Sequence, residues 1–392
     1  MKILAVLFVL NVAIVWSFDP HIIIRPIDDY SKNIEFSGNI YKEIAKDNYG
    51  NFVVCPISLE LILSLLYDGA RGLTADEISY SVHLPYGRRF VNPLIESVLS
   101  ELNNQPDVVT VNVANKVYVT NDIKLSKDFK NMALDVFKSD IENIDFRTPD
   151  VTIHKINKWV SDQTHNYIKD LLTESDVDSD TKSILVNTLF FKATWVKRFA
   201  KGDIKKSNFY INERETVPVD MLDTIEDIKY HENDYLRAKF IELPYNGHSL
   251  SMVIVLPESK YGLSHLEDNI HQVVDTQLSD MHSVHVNIPK FKIESTIRLI
   301  PILETLGITK LFTPNADLSG IAGKNSGLYV DNVIQKSIIG LNENGTLAAS
   351  STAAINEGKS LPEREFIANH PFIYYIKSTV GVLFIGRYAG HE

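Results

Sequence analysis

A chain of 392 residues with 12 histidines and a single cysteine carries side chains for many kinds of chemistry, so spacing must decide among them. The spacings that build active sites are missing. There is no Gly-x-Ser-x-Gly nucleophile elbow, no His-Glu-x-x-His zinc pair and no Gly-x-Gly-x-x-Gly fingerprint. Gly358-Lys359-Ser360 looks like the end of a phosphate-binding loop, but Ala353 stands where the first glycine of that loop must sit. No histidine pairs with another at helical ligand spacing beside a carboxylate. The expectation is a protein that is not an enzyme and needs no cofactor and no metal. One residue still stands out, because Lys359 is the only basic residue between Lys336 and Arg364. A lone cation there is chemistry to be acted upon.

The elements around it are as telling. Gly345 can act as a free hinge, and from Thr346 to Ala354 every residue but Leu347 is small or suited to a strand. Small side chains let a strand slide between others without overpacking the core beneath. Thr346, Ala348, Ser350 and Thr352 share one face at the two-residue strand period, which places Leu347 on the opposite, solvent-facing side. Composition alone also allows a flexible Ala/Ser linker. The flanks argue for order. Tyr329 to Leu341 reads as a long strand leading into Gly345, and Ile373–Ile376 and Gly381–Tyr388 read as two apolar strands. Ser183–Phe191 and Ser249–Leu256 read as buried strands, the second stopped by Pro257. Val284, Val286 and Ile288 alternate with polar residues, a half-buried strand. Ile57–Tyr67 reads as a buried helix and Ile156–Leu172 as an amphipathic one. Helices early and strands late suit an α+β domain built on a large sheet, and no linker or repeat divides it.

Several segments carry a family resemblance. They are Asn51-Phe-Val-Val-Cys-Pro-Ile-Ser58 with Asp68-Gly-Ala-Arg-Gly72, Asn157-Lys-Trp-Val160 with Thr164, and Leu185-Val-Asn-Thr-Leu-Phe-Phe-Lys-Ala-Thr-Trp195. Leu306-Gly-Ile-Thr-Lys-Leu-Phe312 with Ala316–Gly320, the Gly345-Thr346 hinge, and the tail from Phe366 to Tyr388 complete the series in consistent order. The chain resembles the serpins. That resemblance implies one α+β domain over 18–392, with three β-sheets, eight or nine helices and an exposed reactive loop at about 343–365. It places the reactive bond at Lys359-Ser360, 14 residues beyond Gly345. Because trypsin-like serine proteases hold a cationic side chain against a buried aspartate, it implies such a protease as the partner, in a covalent acyl complex. The inserting hinge is then Glu343, Gly345, Thr346, Ala348, Ala349, Ser350, Ser351 and Thr352. Trp195 falls beneath the insertion point, and Lys290 and Glu343 match a pair at the top of the sheet. The family's central gate usually holds two serines, an asparagine and a histidine. Ser58 and Asn187 agree, whereas Cys55 and Gln335 replace a serine and the histidine, with thiol and amide able to serve in hydrogen bonds. A non-inhibitory member acting as carrier, chaperone or storage protein is the alternative, since fold does not fix function. Such members commonly carry bulky or charged residues or proline in the hinge, unlike Thr346, Ala348, Ala349, Ser350 and Ser351.

Residues 1–17 read as a secretory signal, with Lys2 ahead of an apolar run from Ile3 to Val15 that is shorter than the roughly 20 residues a membrane span needs. The expectation is a secreted, extracellular monomer with no membrane anchor. A formal net charge of −11 disfavours nucleic acid, which demands clustered Lys and Arg. One local cluster, Lys192, Lys197, Arg198, Lys201, Lys205 and Lys206, offers either a solvated basic face or a weak site for sulfated polysaccharide. Cys55 has no partner for an internal disulfide, so core burial must hold the fold. Asn344-Gly345-Thr346 is the one glycosylation sequon, and a glycan beside the hinge would crowd the entering strand, so it is expected to be unused or partly used.

Overall fold

Pro56 supplies the fixed φ that suits a first helical turn, and the helix runs Pro56–Gly69, apolar on nearly every face and buried along its length. A computed structural model describes residues 27–85, 87–105, 109–200, 204–247, 249–347 and 361–390. Among them are ten α-helices, two of which, Leu263–Asp268 and Ile270–Asp275, are separated only by Asn269. None is long and apolar enough to cross a membrane. Residues 1–17, read above as a leader, and the reactive-loop residues 348–360 lie outside the described set.

Among the described residues the strands join into two hydrogen-bonded assemblies. The main sheet has six strands in the order Phe291–Arg298, Asn332–Asn342, Gly345–Thr346, Ser183–Thr194, Val109–Thr120 and Asp140–Ile144. A nine-stranded assembly contains Phe52–Val54, the two carboxy-terminal strands Phe372–Ser378 and Gly381–Tyr388, and Arg364–Ile367 at its far edge. Two of the three expected sheets merge here through one long strand, Thr216–Asn233. That strand pairs first with Lys205–Tyr210, then with Met281–Pro289, and last with Ala238–Pro244.

Ser183–Thr194 and Asn332–Asn342 are central and covered on both faces, so they read as near-continuous apolar runs. Leu189, Phe191 and Ala193 enter the core between the two assemblies, while Ile184 and Val186 face the helix Pro149–Gln163. That helix differs from the expected Ile156–Leu172 at both ends. Pro149 starts it earlier, and after Gln163 the hydroxyl of Thr164 bonds back to the Val160 carbonyl at 2.8 Å. His165 and Asn166 then take positive φ, a conformation no right-handed helix continues through. Asn157 Oδ1 instead receives the amides of Leu171 and Leu172 and folds that segment against the helix.

Candidate functional site

The lower halves of the two central strands pair directly and in parallel, from Asn332 opposite Ile184 to Ser337 opposite Leu189. Above that point they separate. The chain leaves Asn342, turns through Glu343 and Asn344, and drives Gly345–Thr346 between them. Leu341 and Asn342 pair with Thr346 and Gly345 on one side, and Ala193 and Thr194 do so on the other. Gly345 has φ +148°, and a Cβ there would sit 2.0 Å from the Ala193 carbonyl oxygen, so glycine alone fits. The hinge is thus already a two-residue strand within the sheet.

Trp195 holds this wedge. Its indole Nε1 donates to the Asn342 carbonyl at 3.0 Å, its amide to Asn344 O at 2.9 Å, and the Phe199 amide to Glu343 O at 3.0 Å. The ring stacks on Tyr245 at 4.4 Å between centroids. The Tyr245 hydroxyl lies 2.6 Å from Thr346 Oγ1, both groups being buried. Burial raises the phenol's pKa well above its ordinary value, although its bond with Thr346 works in the other direction, so it stays a neutral partner. Lys290 Nζ sits 3.1 Å from Glu343 Oε2 and braces the turn from outside. Asn344 is 6% exposed. Leu347 departs from the expected solvent-facing position: it is half-buried beside Gly340 and packs against the cluster containing Ile334 and Ile338. The face opposite Thr346 is covered at this level, which strand alternation alone does not reveal.

Below the wedge lies the gate. Gln335 Nε2 donates to Asn187 Oδ1 and, at 2.8 Å, to the carbonyl of Cys55. Its Oε1 accepts from the Cys55 amide at 2.7 Å and from Ser337 Oγ at 3.3 Å. Asn187 Nδ2 donates to Ser58 Oγ at 2.8 Å and to Asn115 Oδ1 at 2.6 Å. Cys55 therefore serves the gate through its main chain, and burial pushes its thiol far above the ordinary range. Asn115 went unread in the sequence. Its signal was there: it interrupts Val111, Val113 and Val117 at the strand period, a polar residue on an apolar face.

Lys359, Ser360, Ala348, Ala349, Ser350, Ser351 and Thr352 lie outside the described residues, as does Lys201. Of the basic cluster, Lys205 and Lys206 are exposed on the second assembly, Lys192 is half-buried on the main sheet, and Lys197 is paired with Glu226 at 2.8 Å. Among the described residues no group of three His, Cys, Asp or Glu side chains could hold a metal ion.

Comparison with known proteins agrees with this architecture. The family model described as Serpin (serine protease inhibitor) matches residues 31–390. Serine protease inhibitor 42Dd of Drosophila melanogaster is 34% identical over 353 residues, covering 90% of this chain and 94% of its own. Antichymotrypsin-2 of Bombyx mori is 32% identical over 362 residues, covering 90% and 96%. The crystal structure of Serpin48 from Tenebrio molitor superimposes with a TM-score of 0.86 at 35% identity, over 92% of this chain and 97% of that one. The chain belongs to the serpin family.

Proposed function

We propose that this serpin inhibits trypsin-like serine endopeptidases outside the cell, as a monomer, by trapping the acyl-enzyme. The protease serine attacks the Lys359 carbonyl, the bond to Ser360 breaks, and an ester joins Lys359 to the enzyme while the Ser360 amine leaves. The freed loop then enters the main sheet as a new strand, the route by which serpin loops release stored strain. The observation that carries this reading is the hydrogen-bonded wedge at Gly345–Thr346, which already has a strand partner on each side.

Its register gives the path. Continued without a slip, the pairing that sets Thr346 against Leu341 and Ala193 brings Ala348 between Ile339 and Phe191, Ser350 between Ser337 and Leu189, and Thr352 between Gln335 and Asn187. A methyl arrives at an apolar level, one hydroxyl arrives beside Ser337, and another between the two gate amides. Thr352 could then take up the amide groups that now bond across the gate. The cost is the direct parallel pairing of Asn332–Ser337 with Ile184–Leu189. Some ten new backbone pairs at about 1 kcal/mol each, on the order of 10 kcal/mol before that cost is subtracted, outnumber the six parallel pairs given up. Distorting a protease active site that depends on close placement of its groups slows deacylation by orders of magnitude.

The relatives named as inhibitors support protease inhibition in general, and Lys359 supports the trypsin-like class. A carrier role would draw support from the fold shared with thyroxine-binding globulin, at 23% identity, but the small-residue hinge favours insertion. Mixing the protein with trypsin and resolving the products under denaturing conditions tests the reading: a covalent band at the summed mass supports it, and cleaved product alone contradicts it.

A further inference from the structure

We propose that Leu347 is the positioning residue that sets how deep the uncleaved loop sits, by leaving the ladder in a left-handed conformation seated on Gly340. The inference rests on the insertion mechanism above. Leu347 has φ +49°, in a region where a leucine is disfavoured about tenfold against the extended form. Its amide still donates to the Gly340 carbonyl at 3.0 Å, so register is kept up to this residue while the strand itself ends at Thr346. Directly below, Ser337 and Leu189 still face each other as a closed pair. Something must hold the unfavourable backbone, and the leucine side chain does so. It packs against the Ile334–Ile338 cluster and lies over the bare Cα of Gly340.

Gly340 makes this seat. A Cβ there would meet Leu347 Cδ2 at 3.0 Å, while its next neighbour, the Phe291 carbonyl, is 3.6 Å away. In a fully extended ladder an alanine at 340 would merely stand beside residue 347 as an ordinary cross-strand pair. To admit that methyl the Leu347 tip must shift by a few tenths of an ångström in the arrested state, a shift the extended pair does not require. Three substitutions follow, with opposite signs. Leu347→Val brings a β-branched residue that resists left-handed backbone and favours a strand. Gly340→Ala fills the seat. Leu347→Asn keeps the left-handed form accessible.

The experiment reads the ratio of covalent trypsin complex to cleaved product for each variant, alongside melting temperature. Leu347→Val and Gly340→Ala should raise the ratio several-fold, and Leu347→Asn should lower it, whatever the order of their melting temperatures. A residue that only packs would shift all three in one direction, following stability, and that result overturns the proposal. Should the parent form no complex at all, the inhibitory reading has failed and Leu347 is judged separately by hydrogen exchange at the Ser337 and Leu189 amides. Faster exchange in Leu347→Val and Gly340→Ala but not in Leu347→Asn sustains the positioning role; equal exchange in all three overturns it.

Discussion

Lys359 carries the specificity in this account, and a single side chain tests it. Lys359→Leu should abolish the covalent complex with trypsin, while Lys359→Arg should keep it, since both cations suit a pocket with a buried aspartate. Undiminished complex from the Leu variant, or a cleavage site found elsewhere by mass spectrometry, contradicts the assignment. A second residue, Glu60, ties stability to pH. Loss of water around its carboxyl on the buried helix pushes its pKa up to about 8 from an ordinary 4.5, and the 2.8 Å bond from Asn33 Nδ2 only partly opposes this. A raised carboxyl contributes stability that is fully present below about pH 4.5 and is lost as pH climbs through about 8. Glu60→Gln should therefore be more stable than the parent at pH 9, by on the order of 2 kcal/mol for a half-buried group, and so melt at a higher temperature, with the gap closing near pH 4.5. Equal melting curves at both values count against it. Part of the gate was legible through the family resemblance alone: it pointed to Ser58, Asn187 and Gln335, whose side chains join one hydrogen-bonded network. That Cys55 takes part through its main chain was not, because backbone pairing depends on which strand lies beside it.

At the scale of elements, the sequence was clearest where one side-chain pattern governs a whole segment. Ile57–Tyr67 and Ser183–Phe191 read as buried elements from their apolar runs, and they lie within the buried helix Pro56–Gly69 and strand Ser183–Thr194. The helix Pro149–Gln163 was misplaced because its apolar spacing runs on into Tyr167 and Ile168, whereas its end is set by Thr164 and two left-handed residues. Leu347 was misplaced for a related reason: alternation gives the face, but the neighbouring packing decides whether that face is wet. The turn Glu343–Asn344 shows what such context adds. Asn344 is 6% exposed, and its backbone N–H donates to Asn342 Oδ1 at 2.8 Å, which fixes the turn. A glycan at this sequon would have to hold the turn out of the sheet. Protein made in a glycosylating cell should therefore carry little glycan at Asn344 in its inhibitory fraction, as peptide mapping can determine. Full occupancy in active protein would mean that the wedge is not needed.

The whole molecule folds without an internal disulfide, and its buried apolar residues form separate clusters, the two largest each drawing on both sheet assemblies. Its main sheet is closed by six parallel pairs below and held open by two wedge residues above, so the uncleaved state stops partway along a path whose register is already set. The central claim is that completing this path traps the protease. Thr346 is the most direct place to ask, since its buried hydroxyl meets Tyr245 and its side chain must remain inside as the strand extends. An arginine there would bury an unpaired charge at a cost of several kcal/mol. Cleavage at Lys359 should continue, because it depends only on access to the loop, but insertion should slow and deacylation should win. The measurement compares covalent complex with cleaved product for Thr346→Arg and the parent at equal trypsin doses. The account predicts mostly cleaved product from Thr346→Arg and mostly complex from the parent; equal trapping by the two would show that sheet insertion is not how this protein works.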